Sequence, residues 1–309
     1  MGNLAALFPG QGSQHVGMGA DLAEAFPRAR SVFQRANEVL GLDLARLCWE
    51  GPEDELKQTE NAQPAILVHS FAVWTVLEDD LAGRIQRAAG HSLGEFTAYA
   101  AAGSLTFDDA VRLVRRRGEL MAASPTGTMA AIVGLKPQVV EDICTKVSSA
   151  GGVVVAANYN SPQQIVISGG VDAVERAGRL AKEAGAKMVR GLAVSGAFHS
   201  PLMGEAEAGL REELGRVDFR DPRFPVVSNA TAETVVDAAT ARSTLLEQLT
   251  APVRWTQSIE RIAGDGVTGF LELGPGKVLT GLLRRIGANL EGVEVGGAED
   301  VERFKKGVK

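Results

Sequence analysis

Residues 88–96 read "AAGHSLGEF", and the five residues Gly90-His91-Ser92-Leu93-Gly94 narrow the fold more than any other stretch. One serine stands between two glycines, after the strand-like run "RIQRAAG" and before the helical run "SLGEFTAYAAAG". This is the GxSxG pattern of a nucleophile elbow: the glycines let a strand turn sharply into a helix, exposing the serine hydroxyl at the helix N-terminus. The N–H of the next residue, Leu93, then points toward a developing oxyanion.

Around this turn the chain alternates strand and helix signals. "NLAALF" is a short apolar run that ends in Pro9-Gly10, as a buried strand feeding a loop does. "PRARSVFQRANEVL" and "AQPAILVHSFAVWTVLEDDL" read as helices, the second with Ile66, Ser70, Val73 and Leu77 on one face. After Ser124-Pro125-Thr126-Gly127 the pattern becomes compact. "TMAAIVGL" is a strand, "QVVEDICTKVSS" a helix, "VVVAANYNSPQQIVISG" two strands around Asn160-Ser161-Pro162, "VDAVERAGRLAKEAG" a helix and "KMVRGLAVSG" a strand. The order βαββαβ is ferredoxin-like. The expected architecture is therefore α/β: an α/β-hydrolase-like parallel-sheet domain over residues 1–124 and 197–309, with a ferredoxin-like small domain inserted at 125–196. The final "ERFKKGVK" reads as a solvated end.

At 309 residues and 45% hydrophobic, the chain can bury a full core. Cys48 and Cys144 lie far apart without metal or disulfide spacing and read as reduced, buried thiols. A net charge of -6 with mixed signs argues against a dedicated nucleic-acid binder, which needs a basic face. The N-terminus lacks a basic leader, and the apolar runs fall short of the roughly 20 residues a membrane span needs. The expected location is cytoplasmic.

A serine near neutral pH needs a base, and four histidines are available. His69 sits in an apolar helical pattern and reads as core. His91 adjoins the serine and reads as loop-supporting, and His15 as ordering the glycine-rich loop before it. His199 in "SGAFHSPLM" follows a strand signal and precedes Pro201 and a helix, and is the best base by elimination. No acid follows in a Ser-His-Asp arrangement, so the third member can be a backbone carbonyl.

The opening loop "FPGQGSQHVGMG" fails the dinucleotide spacing, because position 15 is histidine, and no Walker lysine follows. It can supply a second oxyanion N–H near Gln11. In "RLVRRRGELM", Arg115 and Arg116 read as a solvated face, while Arg117, directly before Gly118, can turn inward and clamp a carboxylate with two parallel hydrogen bonds.

Together "FPGQGSQ", "GHSLGE", "RRRGELM", "NYNSPQQIVISG", "GAFHSPLM", "LTAPVRW" and "LELGPGKVL" resemble, in order and across nearly the whole chain, the malonyl-CoA:acyl carrier protein transacylase family. The resemblance implies Ser92 as nucleophile, His199 as general base and acid, and N–H groups of Gln11 and Leu93 as the oxyanion hole. It implies Arg117 as partner of the malonate carboxylate, and the main-chain carbonyl of Gln248, in "EQLTAPVRW", as orienter of the histidine. Asn160 matches a polar position lining the cleft, and His91 is counted with the substrate-binding residues. Phe198 matches malonyl-selective members, where the ring leaves little room for a methyl branch.

No cofactor or metal is implied: malonyl-CoA is a substrate, and the phosphopantetheine rides on holo acyl carrier protein. An acidic carrier would need a local basic surface, for which Lys187, Arg190, Lys277, Arg284 and Arg285 are candidates. The family resemblance also implies a monomer. A serine esterase or thioesterase, an acyltransferase of polyketide or malonate-decarboxylase chemistry, and a non-catalytic docking module stand as alternative readings.

Overall fold

The computed structural model describes residues 3–124, 127–194, 196–267 and 269–307. Its strands are β1 (Leu4–Phe8), β2 (Ile85–Gly90), β3 (Thr128–Val133), β4 (Val154–Ser161), β5 (Gln164–Gly169), β6 (Met188–Gly191), β7 (Val226–Val227), β8 (Thr234–Val235), β9 (Gly269–Leu273) and β10 (Gly292–Val295). Six form one sheet in the order β10-β9-β1-β2-β7-β8, parallel throughout except for β8, which runs antiparallel to β7. The other four form an antiparallel sheet in the order β4-β5-β3-β6.

In β1 the residues Ala5, Ala6, Leu7 and Phe8 are all fully buried, so the strand is a continuous apolar run rather than an alternating one. That pattern belongs to a parallel sheet covered by helices on both faces. The helix Thr59–Leu81 is buried on nearly all sides, from Ala62 and Ile66 through Val73 to Leu77, because it lies within the core between other elements. It packs closely on the helix Phe107–Ala123. A Cβ on Gly118 would stand 2.6 Å from the Glu60 Cα, and this small-residue contact sets where neighbouring Arg117 enters the interior.

The small sheet has two different faces. Ala130, Ile132, Ile165 and Ile167 pack with Val140, Val147, Val174 and Ala177 of the helices Pro137–Ser148 and Val171–Glu183. Met129, Ala131 and Val166, alternate residues on the same strands, join the large core instead. This two-residue period turns one face of the small sheet toward the larger body. A short main-chain ladder joins the two: Tyr159 N–H donates to Val253 C=O at 2.9 Å, and Val253 N–H to Ala157 C=O at 2.8 Å.

Several local expectations shift. β4 continues through Asn160 and Ser161, so the reversal falls at Pro162-Gln163 rather than around Asn160. The strand expected over 187–196 stops at Gly191. The C-terminal stretch from Glu302 to Gly307 is exposed as expected except at the half-buried Phe304, although its first residues continue the helix Ala298–Lys305, and 308–309 lie outside the described residues.

The elbow itself depends on close backbone approach. A Cβ on Gly90 would overlap the Gly94 carbonyl group, and one on Gly94 would overlap the Phe8 carbonyl oxygen. Gly94→Ala is expected to destabilise the protein by about 3 kcal/mol through forced displacement of backbone that cannot yield like a side chain. Chemical denaturation checks this, and a midpoint matching the parent would show that the elbow tolerates the methyl group.

Candidate active site

Ser92 occupies the left-handed region at φ 52°, and His199 does so at φ 56°. Neither is glycine, so the surroundings must hold both conformations. For Ser92 the holder is Asn229: its Oδ1 accepts from the Ser92 N–H at 2.7 Å, and its Nδ2 donates to the Gly90 carbonyl at 2.7 Å. One fully buried side chain thus staples both sides of the turn. The helix Gly94–Ala101 starts directly afterwards and aims its N-terminus at the serine.

The Ser92 Oγ lies 2.8 Å from His199 Nε2, and His199 Nδ1 lies 2.8 Å from the Gln248 main-chain carbonyl. A carbonyl can only accept, so Nδ1 carries the proton and Nε2 is free to accept from the serine hydroxyl. His199 is 3% exposed. Burial first, and then the nearby Arg117 charge, push its pKa down to about 3, which keeps the ring neutral and Nε2 unprotonated at neutral pH.

Arg117 is 1% exposed and reaches the same serine. Its Nη2 donates to Ser92 Oγ at 3.0 Å and to Gln248 Oε1 at 3.0 Å, and its Nη1 donates to Gln63 Oε1 at 2.6 Å. All three acceptors are neutral, and burial lowers the guanidinium pKa to about 10, still far above neutrality. The face of Phe96 lies 5.7 Å away. Arg115, expected to be solvated, is instead half-buried, with its guanidinium on Glu119, the Glu60 carbonyl and Asn61. Arg116 is exposed as expected.

Beside the serine opens a cavity of about 420 Å3, whose walls include Gln11, His91, Asn160, Phe198 and His199. His91 does more than support its loop: Nε2 donates to Asn160 Oδ1 at 2.8 Å, and the ring packs on Trp255 at 5.4 Å. Gln11 sits at the rim, its side chain on Thr59 at 3.3 Å. Among the described residues neither the Gln11 nor the Leu93 N–H donates to a protein acceptor, which leaves both amides available to a ligand. His15 and His69 lie away from the serine. His69 is core, with Nε2 on the Gly296 carbonyl at 2.7 Å, and His15 contacts the Ser13 carbonyl at 3.5 Å.

Lys187, Arg190, Lys277, Arg284 and Arg285 are all exposed. Arg285 is the one tied to the cavity wall, since it donates to Gln164 Oε1 at 2.7 Å. Three buried polar residues of the site escaped the sequence reading: Gln63, Glu95 and Asn229. Their signal was a polar residue inside an apolar run, as in "AQPAILV" and "VVSNA". Among the described residues no cluster of His, Cys, Asp or Glu is arranged to hold a metal, and no helix is long and apolar enough to cross a membrane.

Fold and site together define a class: an α/β-hydrolase-like protein in which a serine, a neutral histidine and a buried arginine converge on one cleft. Comparison with known proteins narrows it. The chain belongs to the acyl transferase domain family, whose profile matches residues 6–304. It is 45% identical over 305 residues to the malonyl CoA-acyl carrier protein transacylase of Bacillus subtilis, covering 98% of this chain and 96% of that one. The crystal structure of an acyl carrier protein S-malonyltransferase from Vibrio cholerae superposes with a TM-score of 0.94 at 43% identity, covering 98% of this chain and 99% of the other. A malonyl-transacylase solved in complex with its type II PKS acyl-carrier protein gives 0.95 at 43% identity, covering 99% of each chain.

Removing the Arg117 charge takes a cation away from His199, which favours the imidazolium and raises its pKa. In Arg117→Ala the acid limb for Ser92 labelling by a fluorophosphonate is expected to move upward by about one pH unit. Coincident profiles for variant and parent would break the electrostatic link.

Proposed function

We propose that this chain transfers the malonyl group of malonyl-CoA to the phosphopantetheine thiol of acyl carrier protein, supplying malonyl units for fatty-acid synthesis. The observation that carries the reading is the meeting of His199 Nε2 and the buried Arg117 guanidinium on one atom, Ser92 Oγ, at 2.8 and 3.0 Å. A base alone would suit any ester. A buried cation so close to the attacking oxygen suits an acyl group whose own carboxylate lies only two bonds beyond its carbonyl carbon, as in malonate.

Ser92 Oγ attacks the thioester carbon while its proton passes to His199 Nε2. The N–H groups of Leu93 and Gln11 receive the oxyanion, each donor in such a hole contributing about 2.7–4 kcal/mol to the transition state. Collapse breaks the carbon–sulfur bond, and CoA leaves as a thiol with the proton from His199. The malonyl ester then waits on Ser92 with its carboxylate on Arg117. Next the carrier thiol gives its proton to His199, its sulfur attacks the ester, and Ser92 recovers the proton as malonyl-carrier departs.

Gln248 orients the imidazole through its carbonyl, while His91, Asn160 and Phe198 shape the acyl pocket. Holding the acyl chain by its far end favours a tethered thiol arriving along the path CoA vacated over free water. No cofactor takes part in this chemistry. We assign the chain to action as a monomer in the cytoplasm. The exposed Lys187, Arg190, Lys277, Arg284 and Arg285 are the proposed contacts for an acidic carrier, Arg285 being hydrogen-bonded to Gln164 of the cavity wall.

Intact-mass spectrometry after brief exposure to malonyl-CoA is expected to show one added malonyl group, mapping to the Ser92 peptide and discharged by holo acyl carrier protein. Arg117→Ala should lower malonyl transfer about 100-fold or more while sparing acetyl transfer. An adduct elsewhere, discharge by water alone, or equal losses for both acyl groups would refute the reading.

A further inference from the structure

Glu95 lies directly beneath the elbow and is fully buried. Its Oε2 accepts two hydrogen bonds, from Gln248 Nε2 at 2.6 Å and from the Asn229 N–H at 3.1 Å. Its Oε1 has no partner among the described residues. A buried acid is costly to keep, and burial raises its pKa to about 8. The charged and titratable groups around it are Arg117 and Tyr99.

The two residues it holds are the two that organise the rest of the site. Asn229 staples the strained Ser92 turn. Gln248 works at three points: its main-chain carbonyl accepts from the His199 Nδ1–H, its Oε1 accepts from Arg117 Nη2, and its Nε2 also donates to the Ser92 carbonyl at 2.9 Å. An amide side chain can turn over and exchange its oxygen and nitrogen. An acceptor fixed at Nε2 forbids that, because the turned amide would present oxygen to Glu95 and nitrogen to the guanidinium.

We infer that Glu95 is a positioning residue: by accepting from Gln248 and Asn229 it fixes the histidine-orienting carbonyl, the Arg117 clamp and the Ser92 turn in a single register. It touches neither substrate nor reacting atoms. Both bonds end on the same oxygen, so the requirement is for an acceptor at that point, and a glutamine with its oxygen there meets it. Alanine removes the acceptor, and aspartate withdraws it by one methylene.

This inference rests on the malonyl-transfer reading, and the experiment separates the two. Parent, Glu95→Gln, Glu95→Asp and Glu95→Ala are compared for malonyl and acetyl transfer, each normalised to the folded fraction. Glu95→Ala and Glu95→Asp are expected to lose about 100-fold in malonyl kcat/KM, the scale of loss from a misplaced catalytic geometry. Acetyl transfer should fall about tenfold less, because it needs no clamp, so the malonyl-to-acetyl preference shrinks. Glu95→Gln should stay within about threefold of the parent on both, since it keeps the acceptor.

If alanine fails to fold, the aspartate and glutamine variants carry the comparison. Glutamine as damaging as aspartate would overturn the inference, as it would make the charge rather than the acceptor the requirement. Equal proportional losses for malonyl and acetyl, or full activity in Glu95→Ala or Glu95→Asp, would overturn it too. Absence of a malonyl-Ser92 adduct in the parent would sink the transfer reading instead.

Discussion

Arg117 brings a full positive charge to a position 1% exposed, with only neutral hydrogen-bond acceptors around its guanidinium. Taking such a charge out of water costs several kcal/mol unless hydrogen bonds and a counter-charge offset it. Gln63 and Gln248 supply bonds and Phe96 supplies a π face, while Glu95, one amide away, is itself pushed toward its neutral form by burial. What remains is a cation without a direct anionic partner, facing the nucleophile. In the proposed reaction the acyl donor brings its own carboxylate to complete the set, and a penalty accepted in folding becomes recognition at binding.

The same charge helps to set the base. Burial and Arg117 together hold His199 neutral, which a proton acceptor needs before reaction. In the proposed reaction a carboxylate on the guanidinium partly cancels that repulsion, and the imidazolium becomes less costly when it must form. On that reading, substrate binding and base strength are linked through a single side chain.

Much of this was legible in sequence because local rules decided it. Glycine spacing located the turn at Ser92, and a supply of four histidines left His199 as the candidate base, the ring that lies 2.8 Å from the serine Oγ. The βαββαβ order followed from hydrophobic period and appears as the antiparallel sheet β4-β5-β3-β6. Arg117 was one of three adjacent arginines; its place before Gly118 let it turn inward, and the resemblance gave it a carboxylate partner. Gln63, Glu95 and Asn229 were missed because their bonds span 54, 153 and 137 residues, and no local pattern encodes such pairs. Two-residue strands such as β7 and β8 leave too short a trace to register, and the Asn-Ser-Pro turn signal was overridden by ladder pairing that carries β4 on to Ser161. Arg115 defeated the solvated reading because acceptors on a distant helix, Glu60 and Asn61, waited for it.

The ladder between β4 and Val253 couples two tasks mechanically. Asn160, which helps wall the cavity beside Ser92, lies just past Tyr159 on β4, and Val253 follows Gln248, whose carbonyl accepts from the His199 ring. An oversized acyl group that pushes β4 outward would tug this stretch and spoil the histidine's aim. Steric misfit would then register as failed proton abstraction, so an ill-fitting thioester could lodge in the cleft yet never be loaded.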